Sequence, residues 1–89
     1  MIDKTFTIIN KLGLHARAAA KFVTTSSQFN ADIQVTCNGR TVNGKSIMGL
    51  MMLAAAKDTE IHVCAQGDDA AQAMNEIETL ITDFFGEGE

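Results

Sequence analysis

A two-layer α+β sandwich, with a four-stranded antiparallel sheet carrying three helices on one face, is the fold that the sequence predicts from three features. Two segments alternate polar and apolar residues at period two. An Asn38-Gly39 pair follows the second of them, and two stretches repeat small or apolar residues at helical spacing. Strands that alternate in this way need only one buried face. That favours an antiparallel sheet covered on one side, an open-faced sandwich of order βαββαβα.

Each element has its own signal. Thr5-Phe6-Thr7-Ile8 alternates and reads as the first strand. Ala16, Ala19, Ala20 and Val23 then form a helical stripe of small residues able to lie close on a sheet. Asp32 to Cys37 alternates again, and Asn38-Gly39 supplies the positive φ angles of a tight hairpin turn into Arg40-Thr41-Val42-Asn43. Ser46 is placed to cap a second helix from Ile47 to about Leu53. Glu60 to Ala65 is the last strand, with Ile61, Val63 and Ala65 covered and His62 and Cys64 facing away. In the final helix Ala70, Ala73, Met74, Ile77, Leu80, Ile81 and Phe84 share a face, with Asp68 as the expected N-cap and Gly86 as the stop.

The 89 residues suit one domain, which buries only roughly 60 to 65% of the surface its unfolded chain exposes, so a multi-step enzyme with its own substrate cavity is not expected. No apolar run approaches the about 20 residues that cross a bilayer, and Met1-Ile2-Asp3-Lys4 lacks the features of a secretory signal. Two cysteines, Cys37 and Cys64, are too few for a disulfide framework, and they imply a cytoplasmic protein with reduced thiols. No Cys or His spacing suits zinc, so no metal and no cofactor are expected. Charge is divided along the chain. Residues 1 to 57 carry a net +5 and residues 58 to 89 a net −9, within an overall −4. This suggests either a basic face that steers an acidic partner or a C-terminal helix with a solvated acidic face. Nucleic acid is a poor partner for such an acidic chain, with phenylalanine its only aromatic residue type.

Chemistry concentrates in Asn10-Lys11-Leu12-Gly13-Leu14-His15-Ala16-Arg17-Ala18-Ala19-Ala20, where His15 and Arg17 fall at the mouth of the first helix. N–H groups at a helix start lack partners and the dipole is positive there, so an anion carried on the imidazole is held by groups already in place. The same field favours the neutral, nucleophilic ring. Arg17 adds a fork of donors that matches phosphate oxygens, and Lys21 one turn later adds a point charge. The plainer alternative is a histidine that only caps a helix beside an ordinary surface arginine.

This segment, with Gly44-Lys45-Ser46-Ile47-Met48-Gly49, closely resembles the HPr family, the histidine-containing phosphocarriers of the bacterial phosphoenolpyruvate-dependent sugar phosphotransferase system. The resemblance covers nearly the whole chain and rests on Gly13-Leu14-His15-Ala16-Arg17 and on Lys45 to Gly49. It implies a stoichiometric carrier, not a turnover enzyme. His15 would take a phosphoryl group at Nδ1 from the phosphohistidine of enzyme I and pass it to enzyme IIA, with Arg17 holding the phosphate. Such transfer is mostly positioning and charge stabilisation, so one nucleophile and one arginine suffice on this side. The family usually has proline where this chain has Ala18, which should loosen the helix start slightly without removing a reacting group.

The resemblance also implies regulatory phosphorylation of Ser46 by an ATP-dependent kinase/phosphorylase, against the simpler role of a capping serine. A phosphate there would be tolerated at a helix cap yet repel acidic partners. Leu14, Ala16, Lys21, Lys45, Ile47 and Met48 are the expected partner contacts, with Leu50, Leu53 and one of Met51 or Met52 buried. A monomer is expected. The alternatives are a carrier of the nitrogen-related branch of the family and a purely regulatory interaction module, and Lys45 to Gly49 resembles the sugar branch more. No role is expected for Thr36, Thr41 or His62.

Gly39-Arg40-Thr41-Val42-Asn43-Gly44-Lys45-Ser46 also fits the phosphate-binding pattern G-x-x-x-x-G-K-[ST]. That loop works only between a buried parallel strand and a helix, where its amides wrap the phosphates. Here its middle is expected to be a hairpin strand, so the match is taken as chance.

Overall fold

A computed structural model describes residues 1–89. The elements run β1 (Ile2–Thr7), α1 (Ala16–Ser26), β2 (Asp32–Cys37), β3 (Arg40–Asn43), α2 (Ile47–Met52), β4 (Glu60–Gln66) and α3 (Ala70–Thr82), followed by a single 3-10 turn at Phe84–Gly86. All strand pairs are antiparallel in the order β1-β4-β2-β3, with Phe6 opposite Ile61, Val35 opposite Val63 and Val35 opposite Val42. This is the open-faced βαββαβα sandwich expected from the alternation.

The pleat divides the sheet cleanly. Ile33, Val35, Cys37, Ile61, Val63 and Ala65 are buried under the helices, while Gln34, His62 and Gln66 face out. Phe22, Leu50, Met74, Ile77 and Ile81 close the core from the helical layer. Asn38 and Gly39 have φ of 51° and 82°, the pair of left-handed residues that a primed hairpin turn demands. β3 lies inside the G-x-x-x-x-G-K-[ST] match, paired antiparallel to β2. The Gly44 N–H donates to Ile33 O at 2.7 Å, so that stretch belongs to the hairpin and does not wrap a phosphate.

Several expectations are corrected. β1 begins at Ile2, before Thr5, because Lys4 occupies a covered-side position and reaches the sheet margin to pair with Glu78 at 2.7 Å, which breaks the apolar alternation. Ile8, beyond the strand, is fully buried. The buried stripe of α1 is Ala18, Ala19, Phe22 and Ser26, and Ala16 is exposed: among so many alanines it is Phe22 that sets the inward face. The N-cap of α3 is Asp69 and not Asp68. The Asp69 carboxylate accepts from the N–H groups of Asn30 and Ala31, both at 2.8 Å, and so ties α3 to the α1–β2 loop. Met51 and Met52 are both exposed, because Leu50 and the C-cap Leu53 take the inward positions of α2. At the C-terminal end Phe85, not Phe84, fills the core: both have positive φ, and the left-handed backbone turns Phe85 inward.

Candidate functional site

His15 is the N-cap residue of α1, with extended backbone (φ −78°, ψ −178°) and a carbonyl that accepts from the Ala19 N–H at 2.8 Å. Its side chain makes no capping bond, so the first N–H groups of the helix have no intrahelical partner. The loop before it is tightly seated. Leu14 N–H donates to Ala55 O at 2.8 Å, and Gly13 has φ +69° with its α-carbon so close to the next segment that a Cβ would lie 2.5 Å from Ala55 O. Glycine is required there on both counts. The ring is thus delivered to the surface from a rigid corner, with its side chain 27% exposed.

One ring nitrogen is occupied. His15 Nε2 lies 2.5 Å from Glu87 Oε2, and Nδ1 makes no hydrogen bond within the protein. Glu87 is held in turn by Asn10, whose Nδ2 donates to Glu87 Oε1 at 2.9 Å and to Gly13 O at 2.8 Å. Burial pushes the Glu87 carboxyl up, but the hydrogen bonds from Asn10 and His15 and the charges of His15 and Arg17 outweigh it. The group sits below its ordinary value of 4.5.

Arg17, in the first turn of α1, lines a recess of about 310 Å³ with Lys11, Leu12, Lys21, Gly86, Glu87 and Glu89. A second recess is apolar, lined by Leu12, Leu14, His15, Ala16, Met51 and Ala54 to Ala56. Arginine and histidine therefore stand between a hollow of mixed charge and an apolar shelf. Leu12, Met48, Met51 and Met52 expose between 42% and 73% of their surface, and of these Leu12 and Met51 line the recess beside His15.

The predicted site residues are only partly brought together. His15, Ala16 and Arg17 converge. Leu14, expected as a partner contact, is buried at 4% exposure, and serves as the anchor beneath His15. Lys21 adjoins the site, yet its Nζ donates to Phe85 O at 2.7 Å. Lys45 and Ser46 lie at the far end of α1: Lys45 Nζ donates to Phe29 O at 2.7 Å, and Ser26 Oγ donates to the neighbouring Gly44 O at 2.7 Å. With 11 residues α1 spans about 16 Å, which sets the scale of their separation from His15. Ser46 caps α2 as expected, its Oγ accepting from the Gly49 N–H at 3.0 Å. Ile47 and Met48 are exposed on α2. The sequence did not point to Asn10 or Glu87. Glu87 lies 72 positions from His15, in an acidic tail that looks solvated, and its one local cue is the pair Gly86 and Gly88 that lets the backbone turn on either side of it.

Comparison with known proteins agrees with this architecture. The family described as the phosphotransferase-system HPr component phosphorylation site matches residues 2–83. The chain is 57% identical to a phosphocarrier protein HPr of Neisseria meningitidis over 89 residues, the whole of both chains. It superposes on a crystal structure of HPr from Thermoanaerobacter tengcongensis with a TM-score of 0.94 and 44% identity, covering 98% of each chain. A crystal structure of an HPr dimer from the same organism matches with a TM-score of 0.79, over 98% of this chain and 100% of that one. A helix that opens on a surface histidine, set on this sheet and matched along the whole length, places the chain in the HPr family: it is a phosphocarrier of the phosphotransferase system and not a catalyst.

Proposed function

We propose that His15 is the phosphate carrier of this chain. Nδ1 takes the phosphoryl group from the phosphohistidine of enzyme I, charged by phosphoenolpyruvate, and gives it up to a histidine of enzyme IIA. The observation that carries this is the state of the His15 ring, with Nε2 occupied, Nδ1 free and the unpartnered amides of α1 beside it. Arg17, on the wall of the charged recess, supplies the fixed positive charge for the phosphate oxygens. Ala16 lends its amide and a small surface, and Ile47 and Met48, with Leu12, Met51 and Met52, form the apolar surface on which partners dock. Leu14, buried to 4% exposure, seats the histidine from below and contributes only to the wall of the apolar recess.

The 89 residues act as one HPr-like domain and as a single copy. The compartment is the cytoplasm, and the position of the thiols is consistent with the reduced state expected there: Cys37 and Cys64 sit on opposite faces of the sheet and cannot pair with one another. Incubation with phosphoenolpyruvate and enzyme I, followed by mass measurement, should add one acid-labile phosphate to the wild-type chain and none to His15→Ala. Labelling of that variant would refute the assignment.

Ser46 supports a second, regulatory modification by an ATP-dependent kinase. Its Oγ caps α2 beside the exposed Ile47 and Met48, so a phosphate there places charge on the docking surface without disturbing the core. Ser46→Asp should slow phosphorylation of His15 while leaving thermal stability unchanged. An unchanged rate would remove the regulatory role.

A further inference from the structure

The geometry points to Glu87 as the residue that sets which nitrogen of His15 is nucleophilic, through a relay that begins at Asn10. This inference rests on the assignment of His15 as the phosphate acceptor and adds how the ring is prepared.

Asn10 is completely buried, and one end of its amide lies between two acceptors, Gly13 O at 2.8 Å and Glu87 Oε1 at 2.9 Å. Only the NH2 end fits between two oxygens, so the amide cannot turn around. Its carbonyl oxygen is buried and accepts no hydrogen bond from another protein group, so both of the amide's protein contacts are made by the NH2 end. The carboxylate is thereby fixed with Oε1 toward Asn10 and Oε2 toward His15 Nε2 at 2.5 Å. A carboxylate only accepts, so Nε2 must carry hydrogen, and in the neutral ring the lone pair is confined to Nδ1.

The same contact serves the transfer. When the Nδ1 lone pair bonds to phosphorus, the phosphorus–nitrogen bond of the donor breaks and its electron pair returns to the donor ring. His15 then bears the phosphoryl group on Nδ1 and hydrogen on Nε2, so its ring is cationic, with the Glu87 carboxylate against the N–H. On donation to the acceptor, the pair of the breaking bond returns to Nδ1 and the Nε2–H form is regenerated. No proton need leave Nε2 in either direction. Glu87 never meets the phosphate and is a positioning residue, comparable in logic to a carboxylate that orients an imidazole in an acyl-transfer triad.

Two substitutions separate this role from mere charge. In Glu87→Gln the side-chain oxygen is claimed by the immovable Asn10 donor, which turns the new NH2 toward Nε2. That amide can only donate, so the ring is driven to its Nδ1–H tautomer and the nucleophile is blocked. Glu87→Ala removes the charge as well but leaves Nε2 to water. Ring nitrogen chemical shifts measured by NMR, at a pH where His15 is neutral, should show Nε2–H in the wild type, a mixture in Glu87→Ala and mainly Nδ1–H in Glu87→Gln. The initial rate of phosphorylation by enzyme I and phosphoenolpyruvate should be lowest in Glu87→Gln, by about tenfold relative to Glu87→Ala. Wild-type ring shifts in Glu87→Gln, or a rate in that variant at or above that of Glu87→Ala, would overturn the relay. Phosphate found on a residue other than His15 would instead overturn the carrier assignment, a separate result, because the ring shifts are read without phosphate.

Discussion

Lys21 Nζ donates to the carbonyl of Phe85 at 2.7 Å, fastening the second turn of α1 to the last turn of the chain. The lysine one turn beyond Arg17 thus acts as a cleat for residues 84–89, with its charge partly spent on a backbone dipole. Lys21→Met keeps the aliphatic stem and removes the donor. It should cost about 1 kcal/mol in urea denaturation and raise amide exchange in residues 84–89 above that of β4.

Gly13 is the tightest point beneath the site. Gly13→Ala combines a left-handed φ of +69° with a Cβ driven to 2.5 Å from Ala55 O. The two penalties should sum to about 2–4 kcal/mol, read as a fall in Tm of at least about 8 °C. The His15 ring would shift with the corner that carries it, so the rate of phosphorylation should fall together with stability.

Ala54 pays a conformational cost with no steric compensation in view. Its φ is +51°, in the loop that floors the apolar recess beside His15. Ala54→Gly should relieve that strain, less the greater freedom that glycine gives the unfolded chain, for a net gain of about 0.5 kcal/mol in denaturant midpoint analysis. Phosphorylation should be unaffected.

Acid should release Glu87. A carboxylate whose folded-state value lies below its unfolded one adds stability that is complete above the unfolded value and is lost as pH falls through the folded value. The Glu87 carboxyl resonance should therefore titrate with a midpoint below 4.5, and amide protection of residues 84–89 should fall away in that acid range. In His15→Ala, which removes one donor and one nearby charge, the midpoint should move up.

Local chemistry in the sequence was enough for the hairpin, for the Ser46 cap and for the placement of His15 at a helix mouth, because each depends on residues within a few positions of one another. Spacing failed where neighbours were chemically alike. Ala16, Ala18, Ala19 and Ala20 fit several inward stripes, and only the packing of Phe22 chooses among them. Asp68 and Asp69 are equal as caps until Asp69 finds Asn30 and Ala31. Phe84 and Phe85 are distinguished by a left-handed turn that no periodicity announces. The Asn10 and Glu87 contacts were invisible for another reason: each joins distant segments, and composition alone assigned the acidic end to solvent.

Every helix lies on one side of the sheet, so the opposite face offers an uncommitted platform. Cys64 is partly accessible there in the central strand β4, whereas Cys37 is sealed beneath the helices. A thiol-directed fluorophore or spin probe should therefore attach at one place only, on the face turned away from the helices and opposite Asp3 of β1, well along β4 from the end that adjoins the His15 loop.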